Sequence, residues 1–105
     1  MELNIIIDDY SMNLSVPDDY IASSGESFAR LDSTMDQGAQ MGQEWVPNPD
    51  NLQRCQLAAD RLLSALENHN EGLAMLSAGY ILNRLPETRQ ARIDNTGDPS
   101  ATTFS

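Results

Sequence analysis

Apolar and small residues recur at alternating steps of three and four along two stretches of the chain. The first runs through Ile21, Ser24, Phe28, Leu31, Met35, Gly38, Gly42 and Trp45. The second runs through Leu52, Cys55, Ala59, Leu62, Leu66, His69, Leu73, Leu76 and Tyr80. Such steps line one face of a helix, so the spacing predicts two long amphipathic helices. Pro17, Asp18 and Asp19 suit the start of the first, with proline in the opening turn and carboxylates at the positive end of the helix dipole. Val46-Pro47-Asn48-Pro49 stops it, because each proline disfavours helix in the residue before it. Asn48 as N-cap and Pro49 at N1 then start the second. The predicted helices span 18–45 and 49–84. Their link of about three residues makes them antiparallel neighbours. Asn68-His69-Asn70-Glu71-Gly72 is the weak point of the second, with poor helix formers and capping-box spacing between Asn68 and Glu71. A break there gives three helices. The stripe keeps its phase across the gap and predicts a continuous or bent one.

The chain before residue 17 has a different period. Residues 2–7 are β-branched and partly alternating, residues 11–16 alternate cleanly, and Asp8, Asp9 and Tyr10 lie between them. A β-hairpin over 2–16 is predicted, with Leu3, Ile5 and Ile7 on one face beside Met12, Leu14 and Val16. Such a hairpin is marginal alone and needs the helices or another subunit beneath it. Beyond Pro86 the chain is polar, and residues 87–105 are expected to form a flexible tail. The domain is then 1–86.

The expected fold is mainly α: a long antiparallel helical hairpin with a short N-terminal β-hairpin. The second helix carries more apolar surface than one neighbour covers, since Leu57, Ala58, Leu63, Ala65, Ala74, Ala78, Ile81 and Leu82 widen its stripe. Dimerisation into a four-helix bundle is the expected remedy. Its interface would use Phe28, Leu31, Met35, Gly38, Gly42 and Trp45 from the first helix and Leu62, Leu66, Leu73, Leu76 and Tyr80 from the second. Gly38 and Gly42, four apart, would let a facing helix approach closely. Trp45 suits an interface anchor or a core position.

Charge narrows the partners. The net charge is −10, with no lysine. Residues 1–50 hold ten acids and one arginine, Arg30, so the negative field belongs to the first half. Nucleic acid and anionic membrane are therefore not expected partners, whereas a protein with a basic surface is. No apolar run approaches the roughly 20 residues of a membrane span. Met1-Glu2-Leu3-Asn4 has no signal-peptide character. One cysteine, Cys55, excludes an internal disulfide. The expectation is a cytoplasmic chain.

Candidate chemistry is sparse. His69 and Cys55 are the only residues of their kinds. On one helix they lie about 21 Å apart, too far to share a metal or act as nucleophile and base. Cys55 reads as a small buried hydrophobe and His69 as a capping or surface residue. Asp32 and Asp36 lie four apart on one helix face, with Gln40 and Gln43 continuing the row. Across a subunit interface they form the alternative site, one for a divalent cation. Arg54, Asp60, Arg61 and Glu67 read as locally paired surface residues. Asp94-Asn95-Thr96-Gly97-Asp98 lacks the twelve-residue calcium-loop pattern and reads as a turn. No catalytic motif or cofactor fingerprint is present. The expected function is a non-enzymatic interaction or accessory protein, homodimeric and without cofactor. The alternative is a cation-binding bundle built on Asp32 and Asp36.

Overall fold

A computed structural model describes all 105 residues, Met1 to Ser105. The chain opens with an antiparallel hairpin of β1 (Glu2–Ile7) and β2 (Tyr10–Ser15), in unbroken register from Glu2↔Ser15 to Ile7↔Tyr10. Two short helices follow, α1 (Asp18–Ser23) and α2 (Gly25–Met35). A small second hairpin, β3 (Ala39–Met41) and β4 (Glu44–Val46), leads into α3 (Asn51–Glu67) and α4 (Glu71–Arg84). The chain closes with β5 (Gln90–Arg92), a 3-10 turn at Pro99–Ala101 and β6 (Thr103–Phe104). One mixed sheet runs in the order β2-β1-β5-β6, with β5 parallel to β1 and the other pairs antiparallel.

This is an α/β fold. It corrects the expectation of a helical hairpin completed as a four-helix bundle. The stretch 18–45 is two helices and a hairpin. Ser24 interrupts the helix with φ −100° and ψ 15°, and its hydroxyl donates to the Tyr20 carbonyl at 2.6 Å, a back-bond that bends helices. Met35 ends α2. Gly38 then turns the chain at φ +107°, its N–H donating to the Met35 carbonyl at 3.0 Å. Gly42, at φ +63°, takes the first position of the two-residue turn between β3 and β4, where hairpins favour glycine. Helical spacing of Gly38 and Gly42 is thus a coincidence of two turns.

The stretch 49–84 breaks where its composition is weakest. The Asn70 N–H donates to the Ala65 carbonyl at 2.8 Å, and the His69 N–H donates to that of Leu66 at 3.4 Å. His69 sits at φ +54°. This is a Schellman closure of α3, with His69 where glycine is usual. Asn70 then caps α4, its side chain accepting from the Leu73 N–H at 3.1 Å. The upstream cap is Asp50, which exchanges bonds with Gln53 in a capping box, two residues beyond the expected Asn48.

The segment expected as a flexible tail supplies half of the sheet's strands. Asn4↔Gln90 to Ile6↔Arg92 pair in parallel, and Ala91↔Phe104 and Arg92↔Thr103 pair antiparallel. Its few apolar residues suffice because alternation places Ala91, Ile93 and Phe104 against the core. That core is built on Leu3 and Ile5 from the sheet, Phe28 and Met35 from α2, and Leu62, Tyr80, Ile81 and Leu82 from the main helical pair. α4 is apolar around most of its circumference because its own chain surrounds it: Ala74 and the run Ser77–Leu82 are all buried. The radius of gyration, 12.7 Å, matches the roughly 13 Å of a single closed unit this long. No helix is long and apolar enough to cross a membrane.

Candidate functional site

Two places gather side chains that sequence patterning had assigned to other roles. One is a charged cluster on the helical layer. The other is a groove at the sheet edge.

The cluster centres on Asp32 of α2. Its Oδ1 accepts from the Tyr80 hydroxyl at 2.6 Å and from Arg54 Nη1 at 3.2 Å, and its Oδ2 accepts from Arg84 Nη2. Arg54 also reaches Asp36 at 2.8 Å, and its Nε donates to the Pro49 carbonyl at 2.8 Å. The Arg84 guanidinium lies 5.1 Å from the Tyr80 ring centroid, and the Phe28 ring meets Tyr80 edge-on at 6.0 Å. One carboxylate therefore joins α2, α3 and α4. Partial burial works against ionisation of Asp32, but hydrogen bonds from Tyr80, Arg84 and Arg54 outweigh it and hold the carboxyl below the usual aspartate range. Burial and the bond to Asp32 push the Tyr80 hydroxyl upward.

Both oxygens of Asp32 are committed to this brace, and Asp36 is paired with Arg54. The carboxylate row proposed for a cation is thus occupied by arginines. No three His, Cys, Asp or Glu side chains converge elsewhere to hold a metal ion. Arg54 is a tertiary partner of α2, not a locally paired surface residue. Cys55 is fully buried, and burial pushes its thiol up to about 12, so it stays a protonated apolar filler. His69 lies exposed at the far end of α3. The Asp94–Asp98 segment is a closed turn. The Asp94 carboxylate accepts from the N–H groups of Thr96 and Asp98 and from the Thr96 hydroxyl.

The residues predicted to line a subunit interface are mostly used within the chain. Phe28, Met35, Leu62 and Tyr80 are buried in the core, and Leu31, Leu66, Leu73 and Leu76 pack partly against it. Gly38 lies beneath the Trp45 indole, leaving that ring 58% exposed at the small hairpin. Gly42 sits in the hairpin turn, with the Gly97 carbonyl nearby.

The groove lies between β2 and the α3–α4 corner. One cleft of about 350 Å³ is lined by Met12, Leu14, Ala65, Leu66, His69, Asn70, Glu71, Ala74 and Met75. A neighbouring cleft of about 530 Å³ is lined by Ile7, Tyr10, Met12, Leu63, Leu66, Glu67, His69 and Asn95. The two meet at Met12, Leu66 and His69. Their walls are largely apolar, no arginine lines either, and Glu67 and Glu71 stand at the rim. Asp8 and Asp9 sit in the hairpin turn beside Tyr10, itself 59% exposed. Sequence patterning placed Leu66 at a subunit interface and Ile7, Met12 and Leu14 on the hairpin's apolar face, and did not bring them together as a groove. The available signal was the clean alternation over 11–16 with no charge or proline inside it.

Comparison with known protein families, with curated proteins and with solved structures finds no match to this chain. Geometry and charge carry the functional argument.

Proposed function

We propose that this chain is a non-enzymatic binding module whose groove beside β2 receives a segment of another protein bearing apolar residues flanked by lysine or arginine. The observation that carries this is a largely apolar groove whose only lining charges of fixed sign are carboxylates, Glu67 and Glu71. Sockets of this kind recognise apolar anchors, and a one-sign rim selects the charge around them. The field of the first half, with Asp8 and Asp9 at the same end, extends that preference and speeds encounter with a basic partner. The Asp32 brace ties up Asp36, Arg54, Tyr80 and Arg84, and Cys55 is sealed. Neither offers a base or nucleophile to a substrate, which supports binding over catalysis.

A phage-displayed library of random twelve-residue peptides, selected on the full chain, tests this. Enriched sequences should carry apolar residues flanked by lysine or arginine. Their binding should weaken with added salt and be lost in Leu66→Asp. Glu67→Gln with Glu71→Gln should weaken it roughly three- to ten-fold without affecting folding. A library that yields no enriched sequence, or peptides that bind Leu66→Asp unchanged, refutes the proposal.

A further inference from the structure

We infer that the partner segment binds as an added β-strand, pairing its backbone with Ser11, Asn13 and Ser15 of β2 while an inward-facing side chain enters the cleft lined by Met12 and Leu14. The proposal rests on the groove reading above and specifies how that groove is filled.

The free backbone groups follow from the ladder. Met1 and Val16 exchange two hydrogen bonds, Val16 N–H to the Met1 carbonyl at 2.7 Å and the Met1 amine to the Val16 carbonyl at 2.6 Å. In an antiparallel pair, bonded positions alternate. Leu14, Met12 and Tyr10 therefore bond back to Leu3, Ile5 and Ile7, their partners in the register. Ser11, Asn13 and Ser15 turn their N–H and C=O groups outward. β2 is the sheet's terminal strand and pairs with β1 alone.

This edge lacks the usual protections. β2 is six residues long, in continuous register, with no charge, no proline and no bulge. Folded proteins blunt such edges unless the edge is used. The opposite edge, β6, is only two residues long. A strand added to β2 would lie about 4.8 Å beyond it, with like-facing side chains about 6.8 Å apart. Met12 and Leu14 point toward the helices, so the inward side chains of the newcomer run alongside them. The cleft lined by Met12, Leu14, Ala74 and Met75 borders that path, whereas the second, walled by Ile7 and Asn95, opens beneath the hairpin. This is the geometry of strand addition, in which main-chain bonds supply affinity and pockets read alternate residues.

Charge decides between a second copy and a foreign segment. Self-pairing of β2 about Asn13 would bring the turn carboxylates Asp8 and Asp9 of one copy toward Asp18 and Asp19, at the start of α1, of the other. Like charges placed opposite each other destabilise a pair. A strand with basic flanks meets the same carboxylates favourably.

The test uses the full chain, isotopically labelled, with a synthetic peptide carrying the sequence enriched from the library. Amide hydrogen exchange is followed by NMR with and without it. The Ser11, Asn13 and Ser15 amides should slow at least roughly ten-fold on binding. Asn13→Pro removes one outward N–H that bonds nothing within the chain, and proline is tolerated at such edge positions. It should weaken the peptide roughly ten-fold, while Asn13→Ser, which keeps the N–H, stays within about two-fold. If Asn13→Pro fails to fold, the exchange data on the unaltered chain decide. A bound peptide that leaves the three amides unprotected overturns strand addition while the groove proposal survives. Concentration-dependent protection of those amides in the chain alone makes a second copy the occupant and overturns the inference.

Discussion

Asp32→Ala removes the one carboxylate that joins three helices, and its effect can be built up from the partners it abandons. The Tyr80 hydroxyl belongs to a residue with no exposed surface and has no other acceptor. Stranding it costs about 1–3 kcal/mol. Arg54 keeps Asp36 and the Pro49 carbonyl, whereas Arg84 keeps only the Asn83 side chain and the Tyr80 ring. With 25% of the Asp32 side chain and 31% of Arg84 exposed, their ion pair is worth about 1 kcal/mol. The expected loss is about 2–4 kcal/mol, a large share of the stability of a small domain but short of complete unfolding. In urea denaturation followed by circular dichroism, with a slope of roughly 1–1.5 kcal/mol/M, the midpoint should fall by about 1.3–4 M. Asp32→Asn keeps an acceptor for Tyr80 and should lose about half as much. In a Tyr80→Phe background, Asp32→Ala should cost about 1–2 kcal/mol less than it does alone. The pH dependence has a fixed sign. The folded carboxyl titrates below the ordinary value of about 3.9. Its contribution is therefore complete above that pH and is lost as pH falls through it toward the lower folded value. Asp32→Asn should flatten that acid limb. A loss below about 1 kcal/mol for Asp32→Ala, or no coupling to Tyr80, refutes the brace.

Three further substitutions probe the same fold. His69→Gly relieves a side chain held at φ +54° in the closure of α3 and should raise stability by about 1 kcal/mol, read as an increase in thermal midpoint. Ser77→Ala deletes a buried hydroxyl with no hydrogen-bond partner and should be neutral or stabilising by up to about 1 kcal/mol in urea denaturation. Gly38→Ala places a methyl against the Trp45 ring at φ +107°; it should destabilise by about 1–3 kcal/mol and change Trp45 fluorescence.

The legible parts of this fold were those with local causes. Alternation over residues 2–7 and 11–16 located the first hairpin, and the prolines at 47 and 49 marked the approach to α3, although the element they end is β4 and not a helix. Besides the break at Ser24, the helical stripe misled in two places for one reason: spacing reports periodicity and not backbone sign. Gly38 and Gly42 fit the stripe by number, yet each sits at positive φ in a turn. Asn68, His69 and Asn70 kept the stripe's phase while their caps ended one helix and began the next. The all-round apolar character of α4 was visible, but its cause was not. A helix enclosed by its own chain and one awaiting a partner have the same composition. The sheet was the larger loss. β5 pairs across more than eighty residues of sequence, and a three-residue strand leaves too short an alternation to stand out in a polar segment. At the Asp32 cluster, the helical spacing of Asp32 and Asp36 was legible. Arg54, Tyr80 and Arg84 reach them only through tertiary packing, which turned an expected ligand row into a brace.

The functional account stands on β2 being an open edge beside an unfilled groove. Residue-resolved amide hydrogen exchange on the chain alone, at low concentration, reads this directly. Ser11, Asn13 and Ser15 should exchange rapidly while Met12 and Leu14, bonded to β1, remain protected. Uniform protection of all five amides at every dilution would mean that the edge is already covered, contradicting the account.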